Sequence, residues 1–92
     1  MAAPASAAPM RFRVKLFATY RELVGAKDVV WTADSGTTLG EFLDAFLGHH
    51  PRLATHRGTM MLAVNQTFAD PSQVLHEDDE VALLPPVSGG AR

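Results

Sequence analysis

One amphipathic helix is the strongest pattern in this chain. Apolar residues recur at helical spacing through residues 39–47 and form a single stripe. Thr38 stands just before the stripe and Glu41 follows three residues later, which is the reciprocal capping pattern of a helix amino terminus. We expect Gly48 to end the helix and Pro51 to prevent it from resuming. A single-striped helix has to pack on another apolar surface, which the remaining residues must supply.

The segments around this helix have the patterns of β-strands. Residues 11–16 alternate between cations and apolar residues, which predicts a half-buried strand. Residues 29–32 are β-branched or aromatic, and residues 60–64 form a short continuous apolar run typical of a central strand. Two further strands are predicted at residues 67–69 and 81–84.

These elements predict one small α+β domain. The chain has 92 residues, 47% of them hydrophobic, which suits a single core. The order hairpin, helix, strand, small strand, strand is typical of the β-grasp (ubiquitin-like) fold, a mixed sheet with one main helix packed on one face. Besides the helix stripe, the expected core consists of Phe12, Val14, Leu16, Leu62, Val64, Val81 and Leu83.

The ends of the chain differ in composition from its middle. Residues 1–9 contain prolines and lack the positive start and leucine-rich stretch of an export signal, so we expect a flexible extension. Residues 10–84 are the predicted β-grasp domain, and residues 85–92 the predicted extended tail with its diglycine. Without an export signal or a bilayer-length apolar run, we expect a cytoplasmic protein with no membrane partner.

Charge and cysteine content exclude several function classes. The formal net charge of −2 argues against non-specific nucleic-acid binding. With no cysteine, the chain can form no disulfide, thiolate zinc site or cysteine nucleophile. The four histidines have no organised metal-ligand spacing, and the serines show no triad pattern. We therefore predict no metal site, no bound cofactor and no catalytic residue.

The tail joins a stiff diproline, Pro85 and Pro86, to a slim diglycine, Gly89 and Gly90. Fully extended, the six residues 85–90 reach roughly 20 Å. Such a segment is either an ordinary frayed terminus or an arm that delivers a carbonyl through a channel too narrow for other side chains. The tail alone leaves both interpretations open.

Five segments, taken in order, resemble the MoaD/ThiS family of ubiquitin-like sulfur carriers, and in particular the MoaD type, the small subunits of molybdopterin synthase. They are residues 16–18 with 21–25 (LFA, RELVG), 63–67 (AVNQT), 79–82 (DEVA) and 85–90 (PPVSGG).

The resemblance implies a role as cosubstrate. In that family an ATP-using, E1-like (MoeB-like) enzyme adenylates the terminal glycine, which becomes a thiocarboxylate. The large subunit (MoaE-like) then receives the tail, and the sulfur passes to a pterin precursor. By position Gly90 carries the sulfur, with Gly89 before it. The resemblance also implies a heterotetramer with the large subunit, and ATP used by the activating partner.

For docking of the large subunit we predict the residues at the tail base, where aliphatic and aromatic anchors are available. They are Phe17, Leu84, Pro85, Pro86 and Val87. The cationic face of the first strand is interpreted either as a solubilising surface or as part of the same docking surface.

Ala91 and Arg92 depart from the family pattern, in which the chain ends at the second glycine. Three explanations are open: a peptidase removes these two residues, cloning added them, or the carrier role has been lost. Two alternative functions also remain open: a ThiS-like sulfur donor for another acceptor such as thiazole, and a ubiquitin-like interaction module or protein modifier without a sulfur role.

Overall fold

A computed structural model describes residues 9–86. In chain order, their elements are β1 (Pro9–Leu16), α1 (Thr19–Val24), β2 (Asp28–Asp34), α2 (Leu39–His49), α3 (Pro51–Ala54), a 3-10 turn (Arg57–Thr59), β3 (Met61–Val64), β4 (Thr67–Phe68) and β5 (Glu80–Leu84). The predicted strands are confirmed, with ends that shift by one or two residues. Within this part of the chain, no helix is long and apolar enough to span a membrane.

The strands form one mixed sheet in the order β2-β1-β5-β3-β4. β1 pairs antiparallel with β2 and parallel with β5, so strands from opposite ends of the domain lie side by side at its centre. β5 pairs antiparallel with β3, which continues into the short β4. The predicted mixed α+β architecture is confirmed. β1 already includes Pro9, opposite Asp34, one residue before the predicted start of the domain.

The amino terminus of α2 has the predicted capping box. The Thr38 hydroxyl accepts a hydrogen bond from the Glu41 amide at 3.2 Å, and the Glu41 carboxylate accepts one from the Thr38 amide at 3.0 Å. Two of the amides that a helix start leaves without intrahelical partners are thereby satisfied. The capping box thus defines Leu39 as the first residue of α2.

Aromatic rings join α2 to the sheet. The ring of Phe42 meets that of Phe12 from β1 edge to face, with centroids 5.4 Å apart. Trp31 of β2 meets Phe42 at 5.7 Å and Phe46 at 5.3 Å, also nearly perpendicular. These edge-to-face contacts add to the free energy gained from apolar burial.

The core contains the predicted residues, apart from one difference in burial. The helix stripe and Phe12, Val14, Leu16, Val64, Val81 and Leu83 are buried, whereas Leu62 is half-buried at the margin. Four buried residues outside the predicted set complete the core cluster: Met10, Tyr20, Leu53 and Leu75. Ala63 is also buried, outside this cluster.

The predicted end of the main helix is wrong. α2 continues through Gly48 to His49, and Pro51 begins α3. Glycine inside a helix costs only about 1 kcal/mol relative to alanine. Here the His49 ring contacts Trp31, with centroids 5.4 Å apart, and its Nδ1 lies 3.0 Å from the Ala45 carbonyl oxygen. Proline suits the first position of a helix, because its missing N–H is not needed there.

Tyr20 provides a test of the core. Its ring is buried beside His56, and its hydroxyl has no hydrogen-bond partner within the described residues. Burial raises the pKa of Tyr20 above its ordinary value of 10.0. Because Tyr20→Phe removes an unpaired buried polar group, we expect the free energy of unfolding near neutral pH to rise or to fall by less than about 1 kcal/mol.

The pH dependence has a definite sign. A raised pKa in the folded state means that the unfolded chain ionises first as the pH rises past 10.0. The unsubstituted protein therefore loses stability as the pH rises above 10.0, because the ionised Tyr20 side chain is disfavoured in the folded state. The Tyr20→Phe variant has no ionisable group at this position and does not show this loss. Urea unfolding of both proteins at neutral and alkaline pH measures the difference. A loss of 2 kcal/mol or more at neutral pH would show that the hydroxyl is hydrogen-bonded in solution.

Candidate functional site: the outer sheet face at the base of the tail

The helices cover one face of the sheet, and the opposite face carries a continuous row of side chains. Lys15 pairs with Ala82, Ala82 with Ala63, and Ala63 with Phe68. Directly paired residues of neighbouring strands point to the same face of a sheet. The row therefore crosses four strands, β1, β5, β3 and β4, on the side away from α2.

A groove of about 340 Å³ follows this row. Besides the four side chains of the row, its walls contain Phe17, Gln66, Glu80 and Leu84. Phe17 is 42% exposed and Phe68 is 68% exposed. Two large aromatic side chains in one apolar groove are typical of a surface that contacts another protein.

The tail begins beside this groove. β5 ends at Leu84, and the pairing of Leu16 with Leu83 places Leu84 level with Phe17. On the other side of β5, Leu84 is paired with Met61. The structure thus brings together two predicted docking residues, Phe17 and Leu84, that are far apart in the sequence.

The other residues predicted for the site belong to the tail. Pro85 is half-buried and Pro86 is exposed. Val87, Gly89 and Gly90 lie outside the described residues. The described chain therefore ends within four residues of the proposed sulfur-carrying glycine.

The tight turn between β3 and β4 holds the start of β5. Asn65 and Gln66 both have left-handed backbone angles, with φ of 52° and 71°. The Asn65 amide side chain donates to the Asp79 carboxylate at 3.0 Å and accepts from the Glu80 amide at 3.0 Å. The Asn65 backbone amide donates to the Glu80 carbonyl at 2.7 Å. Three hydrogen bonds therefore fix the register of β5 at the groove.

Charged side chains border the apolar groove along β1. The Lys15 ammonium lies 3.1 Å from the Glu80 carboxylate, at the edge of the groove. Farther along the strand, Arg11 and Arg13 line a second groove of about 440 Å³, opposite Asp78, Asp79 and Glu80. On the predicted cationic face of β1, Lys15 thus lines the apolar groove, whereas Arg11 and Arg13 lie opposite acidic side chains.

Sequence patterns do not indicate Phe68 or the Lys15–Glu80 pair as parts of a site. They also do not indicate the hydrogen bonds from Asn65 to Asp79 and Glu80, which we call the Asn65 clamp. The signal for Phe68 was available, since a two-residue turn at Asn65 and Gln66 pairs Phe68 with Ala63. The other two depend on the approach of β5 to distant strands, which local patterns do not encode.

No histidine, aspartate or glutamate side chain within residues 9–86 is buried. Within them, no three histidine, aspartate or glutamate side chains come together as a metal site would require. Away from the groove, hydrogen bonds from Ser72 lower the pKa of the Asp70 carboxyl.

Residues 14–90 match a family model described as the ThiS family. A molybdopterin synthase sulfur carrier subunit of Arabidopsis thaliana is 36% identical over 81 residues, which are 88% of this chain and 84% of that protein. The family match thus includes the groove residues and extends to the second glycine.

Solved structures agree with the predicted β-grasp fold. The crystal structure of SAMP1 from Haloferax volcanii has a TM-score of 0.76 at 34% identity, covering 87% of this chain and 99% of that one. A protein–protein complex of subunits 1 and 2 of molybdopterin-converting factor from Helicobacter pylori contains a chain with a TM-score of 0.64 at 27% identity. That match covers 88% of this chain and 100% of the other.

The Asn65 clamp can be tested apart from the backbone strain of its turn. Asn65→Gly keeps access to a positive φ and removes both side-chain hydrogen bonds. Gln66→Gly is the matched control, because Gln66 has the same backbone requirement. We expect Asn65→Gly to lower the free energy of unfolding by about 1–2 kcal/mol more than the control does, as measured in urea. Equal effects would mean that the clamp contributes nothing.

Proposed function

Because the chain belongs to the ThiS family, we propose that it is the sulfur carrier subunit of a molybdopterin synthase. One observation carries the proposal: a family match that ends at Gly90. The Arabidopsis thaliana relative with this name supports the specific role, since it is similar over most of both chains. In this role Gly90 carries the sulfur, and Gly89 keeps the approach to it free of side chains.

The carboxylate of Gly90 needs activation before sulfur can be attached. Its negative charge repels nucleophiles, and oxide is a poor leaving group. An E1-like (MoeB-like) partner would use ATP to form an acyl adenylate with release of pyrophosphate. A sulfur donor would then displace AMP and leave a thiocarboxylate. The chain has no cysteine, so the carboxyl terminus is the position at which it can carry transferable sulfur.

The thiocarboxylate then acts as a nucleophile. Sulfur is more polarizable than carboxylate oxygen and attacks an electrophilic carbon of the pterin precursor more readily, which links Gly90 to the pterin as a thioester. Hydrolysis of the bond between the Gly90 acyl carbon and sulfur would leave the sulfur on the pterin and return Gly90 to a carboxylate. The residues that bind the pterin and ATP belong to the partners in this proposal. This chain contributes the acyl carrier and the surface that positions it.

We further propose that the large subunit (MoaE-like) covers the apolar groove at the tail base. Phe17, Phe68 and Leu84 lie where an arm that enters a neighbouring pocket leaves the domain. The Helicobacter pylori complex supports this arrangement, because a chain of the same fold is paired there with a second subunit. A cytoplasmic heterotetramer with the large subunit is the assembly that we propose.

Ala91 has to be removed before this chemistry can begin. Gly90 is followed by Ala91 and Arg92, so its carbonyl is in a peptide bond and cannot be adenylated. Hydrolysis of the Gly90–Ala91 bond would release the residues that follow Gly90 and expose the glycine carboxylate. We therefore include a peptidase among the partners.

A protein modifier is the second candidate. The similarity to SAMP1, the small archaeal modifier protein 1 of Haloferax volcanii, specifically favours it. Both roles use an activated Gly90, but a modifier forms an amide with a lysine of another protein. The two roles therefore differ in the product formed on the tail.

Intact mass decides between these products. We expect the form ending at Gly90, incubated with its adenylating partner, ATP and a sulfur donor, to gain the mass of one oxygen-to-sulfur exchange. The full chain under the same conditions keeps its mass, because its Gly90 carbonyl is held in the peptide bond to Ala91. Exchange on the full chain would contradict the processing step, and a lysine-linked product would favour the modifier.

Adjacent leucines test the docking surface. Leu84 lines the groove and Leu83 is fully buried on the opposite face. We expect Leu84→Ala to weaken large-subunit binding about tenfold, with a smaller loss of stability than the 2–5 kcal/mol typical of a buried leucine such as Leu83. Val74→Ala is the control, since Val74 is a solvent-exposed aliphatic residue that does not line the groove. A lower melting temperature with unchanged binding would make Leu84 a core residue.

A further inference from the structure

We propose that Lys15 and Glu80 act together as a charge-neutral unit that lets the large subunit cover the groove with an uncharged surface. The inference rests on the proposed function and goes beyond it by stating the chemistry of the partner surface. At the position of this pair, the partner presents apolar or neutral polar groups and no countercharge. Both charges are needed together, and neither is needed for the fold.

The position of the pair supports a role in docking. Both side chains line the apolar groove that also contains Phe17, Phe68 and Leu84. The Lys15 side chain is 40% exposed and that of Glu80 is 30% exposed, so each is already partly desolvated in the free chain. A partner that covers the aromatic residues also excludes water from the pair.

The pairing of the strands makes this arrangement specific. Glu80 lies directly opposite Arg13 in the parallel β1–β5 ladder, and Lys15 lies opposite Ala82. The Glu80 carboxylate nevertheless makes its ion pair with Lys15, at 3.1 Å. It therefore points along the strand into the groove, toward the end from which the tail leaves.

The Asn65 clamp holds Glu80 in position before any partner binds. The backbone N–H and C=O of Glu80 are both hydrogen-bonded to Asn65. Lys15 lies within the central strand β1, between two neighbouring strands. Because both backbones are held, less conformational entropy remains to be lost when the partner fixes the pair.

The energetics predict opposite results in the free chain and in the complex. An ion pair this exposed contributes little to folding, so its removal leaves the domain folded. Once water is excluded, a lone charge has a large desolvation penalty, whereas a paired charge or a neutral group has a much smaller one. Removing one charge should therefore impair docking more than removing both.

The test is a double-mutant cycle on binding of the large subunit from the same organism. The variants are Lys15→Met, Glu80→Gln and the double substitution. Each substitution removes a charge and keeps an unbranched side chain of similar length. Each is made in the full chain and in the form ending at Gly90, and affinities are compared within each form by calorimetry. Melting temperatures of the free variants check that each is folded.

A second ion pair supplies the matched control. Arg57 and Asp44 form a salt bridge with side chains 47% and 65% exposed, which join the 3-10 turn to α2 on the helical side of the sheet. Arg57→Met and Asp44→Asn remove the same kinds of charge at a distance from the groove. We expect both to leave the affinity for the large subunit unchanged within about twofold.

We expect each single groove variant to bind about tenfold or more weakly, and the double variant to bind more tightly than either. If one single variant has no effect, another charge compensates the residue that remains, either a partner countercharge or the residue opposite it in the sheet, Asp28 for Lys15 and Arg13 for Glu80. Either result overturns the inference. A double variant that binds no more tightly than the better-binding single variant also overturns it. If neither the unsubstituted full chain nor the unsubstituted form ending at Gly90 binds the large subunit, the proposed function is wrong. The inference, which rests on that function, is then wrong as well.

Discussion

The parallel pairing of β1 with β5 is the contact on which the rest of the molecule depends. It joins the first strand of the domain to the last, with Leu16 opposite Leu83. On the inner face this pairing completes the apolar floor under α2, where Val14 and Val81 are fully buried. On the outer face it places Phe17 level with Leu84, at the base of the tail. Core and candidate interface are therefore two faces of the same ladder.

The two faces differ because the helices pack on one side of the sheet. The inner face meets α2 through edge-to-face aromatic contacts and excludes water. The outer face is left with an apolar groove whose aromatic side chains remain in contact with solvent. Leaving apolar area exposed forgoes stabilisation that burial would give, and a surface of this kind is typical of binding to another protein. The domain thus presents this surface beside Leu84, at the end of its last strand.

Much of the fold was predictable because it follows local rules. The Thr38 capping box depends on residues three apart, and the strand patterns depend on alternation along a few residues. The end of α2 was mispredicted for a reason that local rules do not contain: His49 packs on Trp31, a contact between α2 and β2. The tail base was predicted from the resemblance and the diproline, whereas Phe68 and Glu80 required knowledge of which strands are neighbours.

By itself, then, the sequence determined where the main helix and the strands lie, and it excluded chemistry that needs a cysteine. It also determined the diglycine tail, at whose second glycine the family match ends. Periodicity, capping and side-chain chemistry are local properties, so they can be read residue by residue. Only the tertiary structure decided that Lys15 pairs with Glu80 and that Phe17 and Leu84 line the same groove. Each of these pairs joins residues more than sixty positions apart, and strand order and register, set by burial of the whole core, bring them together.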